Sequence, residues 1–326
     1  MKIYHDTFKR QTAPSAVRFG IFLTKAFPLL PLSLVIDTLR IANIIEEVDN
    51  FSYTLISADG QPVVSSCAFP SPIEAGIRDC PELDVILVCT GQGDASPSEP
   101  EVLNWLRKLH RSGVTIAGIS CGAFILAEAG LLDGRKCSVH WESFQALRER
   151  FYKIDVTRDI FCIEGKIITC AGGIATLDLV LHQISKFRSG TFARRVADSL
   201  VYPIIRGSHA PARVNIQART GIKSKILLSS VKLMEDNIES PIKIGEISIL
   251  LETSTRHLER LYSRHFQMTP SQYYMRMRLR EAKSLLAQTD ISVIEVALCS
   301  GFKNASHFTR CFRELYQRLP SEQRAL

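Results

Sequence analysis

Short, fully apolar runs alternate with amphipathic stretches along the first two thirds of the chain. Val17 to Thr24, Tyr53 to Ala58, Asp84 to Cys89 and Val114 to Ile119 have the length and content of buried strands. Leu34 to Glu47 places Val35, Leu39 and Ala42 on one face, and Pro100 to Ser112 ends at Gly113, so both are expected helices. Residues 1–16 are polar and aperiodic, which predicts an arm, and Phe27 to Pro31 predicts a loop. Strands alternating with helices, without hairpin signals, imply parallel βαβ units, whose ligands bind at the carboxyl ends of the strands. The turns Thr90-Gly91-Gln92-Gly93 and Ser120-Cys121-Gly122 belong there. Ile167 to Thr169 is a further strand, followed by the turn Cys170-Ala171-Gly172-Gly173 and an apolar helix reaching about Lys186.

The pattern changes in the last third. Tyr202 to Gly221 carries two prolines and three arginines without a carboxylate and predicts connecting chain, with the linker placed at residues 206–222. Beyond it an internal repeat appears at an offset of 50 residues: Leu258-x-Arg260-x-Tyr262 with Phe266-Gln267-x-Thr269-Pro270 matches Phe308-x-Arg310-x-Phe312 with Tyr316-Gln317-x-Leu319-Pro320. Ile244 to Leu251, a turn at Glu252-Thr253-Ser254, and Thr255 to His265 form one helix-turn-helix unit. Val293 to Cys299, Ser300-Gly301-Phe302, and Ala305 to Leu315 form the second. Ser254 and Asn304 suit N-caps, and Gly301 suits a left-handed turn. Between the units, Ser271 to Ala287 favours helix, with Ser271 as its cap. At 1.5 Å per residue it spans about 26 Å, so both second helices can enter successive major grooves.

Charge follows the same division. Of the net charge of +7, residues 1–205 carry 21 basic against 22 acidic side chains, giving −1, while residues 206–326 carry 19 against 11, giving +8. A basic tail on a neutral body points to a polyanion partner for the tail, or to a solvated basic surface. The nine cysteines are scattered, without a C-x-x-C pair or metal-ligand spacing, and are expected to be mostly reduced and buried. No apolar run approaches a membrane span and no secretory core leads the chain, so a cytoplasmic protein without metal or cofactor is expected.

Gly118-Ile119-Ser120-Cys121-Gly122 has the form of a G-x-S-x-G nucleophile elbow, with Ser120 exposed above a helix N-terminus. A hydroxyl nucleophile needs a base and an orienting group. His140 is a candidate base, with Asp133, Glu142 or Asp178 to orient it, although spacing alone establishes neither contact.

"GISCGAFILAEAGLLDGRKCSVHW" (118–141) followed by "ITCAGGIATLDLVLHQI" (168–184) resembles the ThiJ/PfpI type of class I glutamine-amidotransferase-like domain, in the version that opens GlxA-type transcriptional regulators. The resemblance covers about residues 17–205. It implies a flavodoxin-like α/β parallel-sheet sandwich that senses a ligand and dimerises. Enzymes of that superfamily place a cysteine at the elbow tip and an acid just after the first strand. The tip here is Ser120, the acidic position falls near Pro31, and Thr24 to Ile36 contains no carboxylate. The expectation is a retained turn lining a ligand cavity of Gly91, Gly93, Ser120, Cys121, His140 and Trp141, without catalytic residues. The alternative is a hydrolase or amidase using Ser120 or Cys121 with a DNA-binding domain attached.

Residues 223–326 are similar to the AraC/XylS DNA-binding domain, an all-α domain with two helix-turn-helix units. Gln267 and Gln317 stand where that family commonly has glycine, and Leu319 replaces a usual serine or threonine. The outward faces of the second helices supply the candidates for base contact: Thr255, Arg256, Glu259 and Arg260 in the first unit, and Asn304, Ala305, Ser306, His307 and Arg310 in the second. Arginine pairs bidentately with guanine and asparagine with adenine, while Arg260 and Arg310 also suit intramolecular salt bridges. The expected partners are double-stranded promoter DNA, a small-molecule effector, RNA polymerase and a second copy of the chain. The "HWE" and "TCAGG" variants resemble regulators of arginine, carnitine or glycine betaine catabolism. A cationic or quaternary-amine effector is thereby implied, with Trp141 or Phe27 as a cation–π face.

Overall fold

The computed structural model describes residues 12–91, 98–212 and 222–324. The chain divides into two compact units, Met1–Ala212 and Arg213–Leu326. Expected pocket residue Gly93, most of the N-terminal arm and residues 213–221 of the linker lie outside the described residues.

The first unit begins with β1 (Thr12–Leu23), α1 (Leu29–Glu46), β2 (Asp49–Ser57), β3 (Val63–Val64), β4 (Pro70–Ser71), β5 (Ala75–Gly76) and β6 (Val85–Thr90). It continues with α2 (Pro100–Arg111), β7 (Thr115–Ser120), α3 (Gly122–Glu128), β8 (Lys136–Ser138), α4 (Phe144–Arg150), β9 (Asp155–Thr157), β10 (Phe161–Glu164), β11 (Ile167–Cys170), α5 (Ala175–Phe187) and α6 (Gly190–Ser199). Seven strands form one sheet in the order β10-β11-β7-β6-β1-β2-β5, parallel except for β10 against β11. Every residue of β6 and β7 is buried, because helices cover both faces of the sheet and alternation has no solvent side to mark. One face packs Phe19, Ile21 and Ile168 against α1, α5 and α6. The other packs Phe22, Ile86 and Ile116 against α2, α3 and α4.

Four features depart from the sequence reading. β1 starts at Thr12, so part of the expected arm is strand paired with β2. α1 starts at Leu29 within the expected loop; Pro31 is tolerated because first-turn N–H groups have no intrahelical acceptor. β10 and β11 form a hairpin around Gly165, at φ 67°. The first part of the expected linker is bound to the first unit, with the Ala212 N–H donating to the Arg158 carbonyl at 2.8 Å and Arg206 paired with buried Asp178.

The second unit contains α7 (Lys225–Asp236), α8 (Ile244–Leu250), α9 (Thr255–Phe266), α10 (Pro270–Gln288), α11 (Val293–Cys299), α12 (Ala305–Tyr316) and α13 (Pro320–Arg324). α7, which the sequence reading passed over, places Leu227, Val231 and Met234 against Ile247, Leu258 and Tyr262. α10 is capped by Thr269, not Ser271: its hydroxyl accepts the Gln272 N–H at 3.2 Å while Gln272 returns a bond to the Thr269 N–H, with Pro270 as the first helical residue.

Candidate functional site

The turns after α8 and α11 share one hydrogen-bond pattern. After α11 the Gly301 N–H donates to the Leu298 carbonyl and the Phe302 N–H to the Ala297 carbonyl, both at 2.8 Å. After α8 the Glu252 N–H donates to Ile249 at 3.0 Å and the Thr253 N–H to Ser248 at 2.9 Å. These are Schellman endings, which place one residue in the left-handed region. Gly301 stands there in the second unit at φ 75°, and Glu252 in the first at φ 50°. α9 and α12 end alike, on Gln267 and Gln317 at φ 55° and 56°. That conformation accounts for the glycine expected at both positions.

Helices α9 and α12 each separate cleanly into two faces. Leu258, Tyr262, Phe308 and Phe312 are wholly buried. Thr255, Arg256, Glu259 and Arg260 are exposed on α9, as are Ser306, His307 and Arg310 on α12, while Ala305 is half-buried. Neither Arg260 nor Arg310 has an ion-pair partner among the described residues. Arg260 instead donates to His257 Nδ1 at 3.1 Å. Asn304 is exposed, but its amide oxygen accepts the N–H groups of Ser306 at 2.8 Å and His307 at 3.2 Å. Asn304 therefore caps the helix with the oxygen that bidentate pairing with adenine also needs. The His307 ring stands edge-on to Phe302, with centroids 5.8 Å apart.

In the first unit the carboxyl ends of four strands converge. Ser120, the last residue of β7, has φ 57°, the strained tip of the expected elbow, but it is buried, not exposed as the motif suggested, because the loop at Gly172 closes over it. A Cβ on Gly122 would lie 2.2 Å from the Val88 carbonyl oxygen, one on Gly91 2.0 Å from that of Ala26, and one on Gly172 2.7 Å from Ser120 Cβ. Only glycine lets the loops after β1, β6 and β11 close on this tip. Thr24 and Thr90 join by a 2.6 Å hydroxyl bond at the same edge.

Cys121 lies behind the tip, buried, with Sγ 3.5 Å from Ser143 Oγ. That contact brings the short turn Trp141–Ser143 beside the elbow. Burial pushes the Cys121 thiol up, and raises Cys89 and Cys170 to about 12. His140 and Trp141 are half-buried, with ring centroids 5.5 Å apart. His140 Nδ1 lies 3.7 Å from Glu142, and burial holds its pKa below the usual imidazole value.

The orienting partners weighed for His140 divide. Asp133 pairs with Lys153 at 3.7 Å, and Asp178 is enclosed by Tyr202 and Arg206, which leaves Glu142. Ser120 has no hydrogen bond to an imidazole or carboxylate among the described residues, and the first turn of α1 has no acid. Phe27 is wholly buried in the core, so it offers no face to a ligand cation.

Residues 22–186 match the DJ-1/PfpI family, and residues 248–325 match a helix-turn-helix domain family. The HTH-type transcriptional regulator CdhR of Pseudomonas aeruginosa is 35% identical over 308 residues, which cover 94% of this chain and 91% of that protein. The HTH-type transcriptional regulator GlxA of Rhizobium meliloti is 34% identical over 316 residues, covering 94% of this chain and 95% of that protein. The crystal structure of an AraC family transcriptional regulator from Pseudomonas putida superposes with a TM-score of 0.53 at 26% identity, over 56% of this chain and 99% of that one. The chain belongs to the HTH-type transcriptional regulators in which a DJ-1/PfpI domain precedes an AraC-type DNA-binding domain.

Proposed function

We propose that the first unit is a sensor without catalytic activity, in which a small cationic metabolite binds at the carboxyl edge of the sheet and alters promoter binding by the second unit. The carrying observation is the elbow itself: Ser120 stands in the left-handed conformation against Gly172, and no base hydrogen-bonds to it among the described residues. A turn strained in this way at the start of a helix is suited to holding a polar ligand group. Gly91, Ser120 and Cys121 form its floor, with His140 and Trp141 at its side. Trp141 offers the cation–π face.

Such a ligand acts by binding two arrangements of the regulator with unequal affinity. A homodimer brings two copies of the two-unit DNA-binding domain to each operator, and RNA polymerase is the downstream partner. On DNA, Arg256, Arg260, His307 and Arg310 read bases, with Thr255, Glu259, Ala305 and Ser306 lining the same surface.

A thermal-shift series with the full chain against amino acids and quaternary amines tests the sensor. A ligand at 100 times its Kd stabilises by about 2.7 kcal/mol, and Trp141→Ala abolishes the shift while leaving DNA binding in place. A flat series indicates a constitutive DNA-binding protein. Turnover of amides or esters that disappears in Ser120→Ala or Cys121→Ser returns the chain to the hydrolase reading.

A further inference from the structure

Of the arginines at 276, 278 and 280, the outer two are exposed, whereas Arg278 turns inward toward the second helix-turn-helix unit. Its Nε donates to the Ser300 carbonyl at 2.9 Å and its Nη2 to the Gly301 carbonyl at 2.6 Å. Both acceptors lie past the last turn of α11, where carbonyls have no helical donor. The guanidinium plane also covers Phe302, with Cζ 4.1 Å from the ring centroid. Phe302 meets His307 and Phe308 on α12, at centroid distances of 5.8 and 5.1 Å. One side chain of the connecting helix thus touches both the turn and the aromatic wedge under the recognition helix.

The same helix reaches the side of the first helix-turn-helix motif four residues earlier. Tyr274 Oη donates to the Asn237 carbonyl at 2.5 Å, at the start of the segment joining α7 to α8. That segment and the second unit's turn then meet directly: a Cβ on Gly301 would lie 2.3 Å from the Ile238 carbonyl oxygen and 2.6 Å from Pro241 Cγ. Gly301 therefore serves the left-handed turn and the junction between the two helix-turn-helix motifs together.

We propose that Arg278 is the positioning residue of the second DNA-reading unit, and that the contact it stabilises at Gly301 makes the two helix-turn-helix units read DNA as one body with a fixed spacing. The chemistry calls for arginine, because two carbonyls and a ring face are engaged together. A lysine ammonium cannot reproduce that fork and plane.

The test begins with a duplex selected from a random-sequence pool by the full-length wild-type chain. Wild type, R278A and R278K are then titrated on that duplex, on versions with one base pair added to or removed from the spacer between the two boxes, and on unselected duplex. The expected wild-type result is a loss of about tenfold or more on either spacer change, comparable to one mismatched base pair. R278A and R278K each lose about 10- to 100-fold on the selected duplex and bind all spacers alike, with unselected DNA bound within twofold of wild type. Wild-type indifference to the spacer, unchanged affinity and spacer preference in the variants, or an equal loss on unselected duplex each overturns the proposal. Thermal melts of the same samples identify misfolding. If R278A melts without cooperativity, R278K decides, and collapse of both variants overturns positioning in favour of a purely structural role.

Discussion

Arg206 holds the Asp178 carboxylate from two directions, with its backbone N–H 2.7 Å from Oδ1 and its Nε and Nη2 3.0 and 2.6 Å from Oδ2. Tyr202 Oη reaches both oxygens, at 3.0 and 3.1 Å. Asp178 is wholly buried on α5, so its charge is tolerated only because these donors fill its acceptor sites. The chain leaving the first unit is anchored at this point.

Removing one partner strands the other in the interior. Arg206→Ala is expected to cost about 3 to 5 kcal/mol, read by urea unfolding of the full chain. Arg206→Met combined with Asp178→Asn removes both charges and costs less than Arg206→Ala alone. A double variant as unstable as the single one counts against this account.

Left-handed non-glycine residues carry a cost of about 1 to 2 kcal/mol each. Glu252→Gly, Gln267→Gly and Gln317→Gly, at φ 50°, 55° and 56°, are each expected to raise stability by about 0.5 to 1 kcal/mol after the added chain entropy of glycine. Gly301→Ala has the opposite sign, since it meets both the positive φ and the Ile238 carbonyl. Melting temperatures of the four variants give the check. A lower melting temperature in all three glycine variants would remove the strain argument.

Burial holds His140 below the usual imidazole pKa, and burial with the Lys186 charge does the same for His182. The folded chain therefore binds fewer protons than the unfolded chain just below about pH 6.5, so unfolding free energy falls with falling pH there. Their contribution is complete above pH 6.5 and is lost as pH drops through the depressed values. His182→Gln should flatten the slope of stability between pH 7 and 5. An unchanged slope excludes this histidine as a source.

Arg256→Ala and His307→Ala are each expected to weaken binding to a selected duplex by about 1 to 3 kcal/mol and relax base preference at one position. Asn304→Asp separates capping from reading. It retains an oxygen for the Ser306 and His307 N–H groups but adds a charge that DNA phosphates repel, so affinity falls while the melting temperature holds. These measurements use fluorescence anisotropy beside unselected DNA. An equal loss on both duplexes assigns the side chain to phosphate contact.

The parts of this molecule visible in its sequence are those governed by local rules. The apolar runs of β6 and β7, the small residues of the elbow and the repeated helix-turn-helix pattern could all be read directly. α6 and α7 carry local signals as well: caps at Ser189 and Ser224, and helical spacing of Phe192, Val196 and Ala197, or Leu227, Val231 and Met234. Pro28 and Pro31 hid the first turn of α1, because proline marks a helix start as readily as a loop. Contacts such as Arg278 with Ser300, or Asp178 with Arg206, depend on which surfaces meet, and no periodicity encodes that.

The two turns that end on Glu252 and Gly301 differ in length as well as chemistry: residues 251–254 separate the helices of the first unit, and residues 300–304 those of the second. The additional residue breaks the equivalence of the halves. A single chain therefore has a head and a tail on DNA.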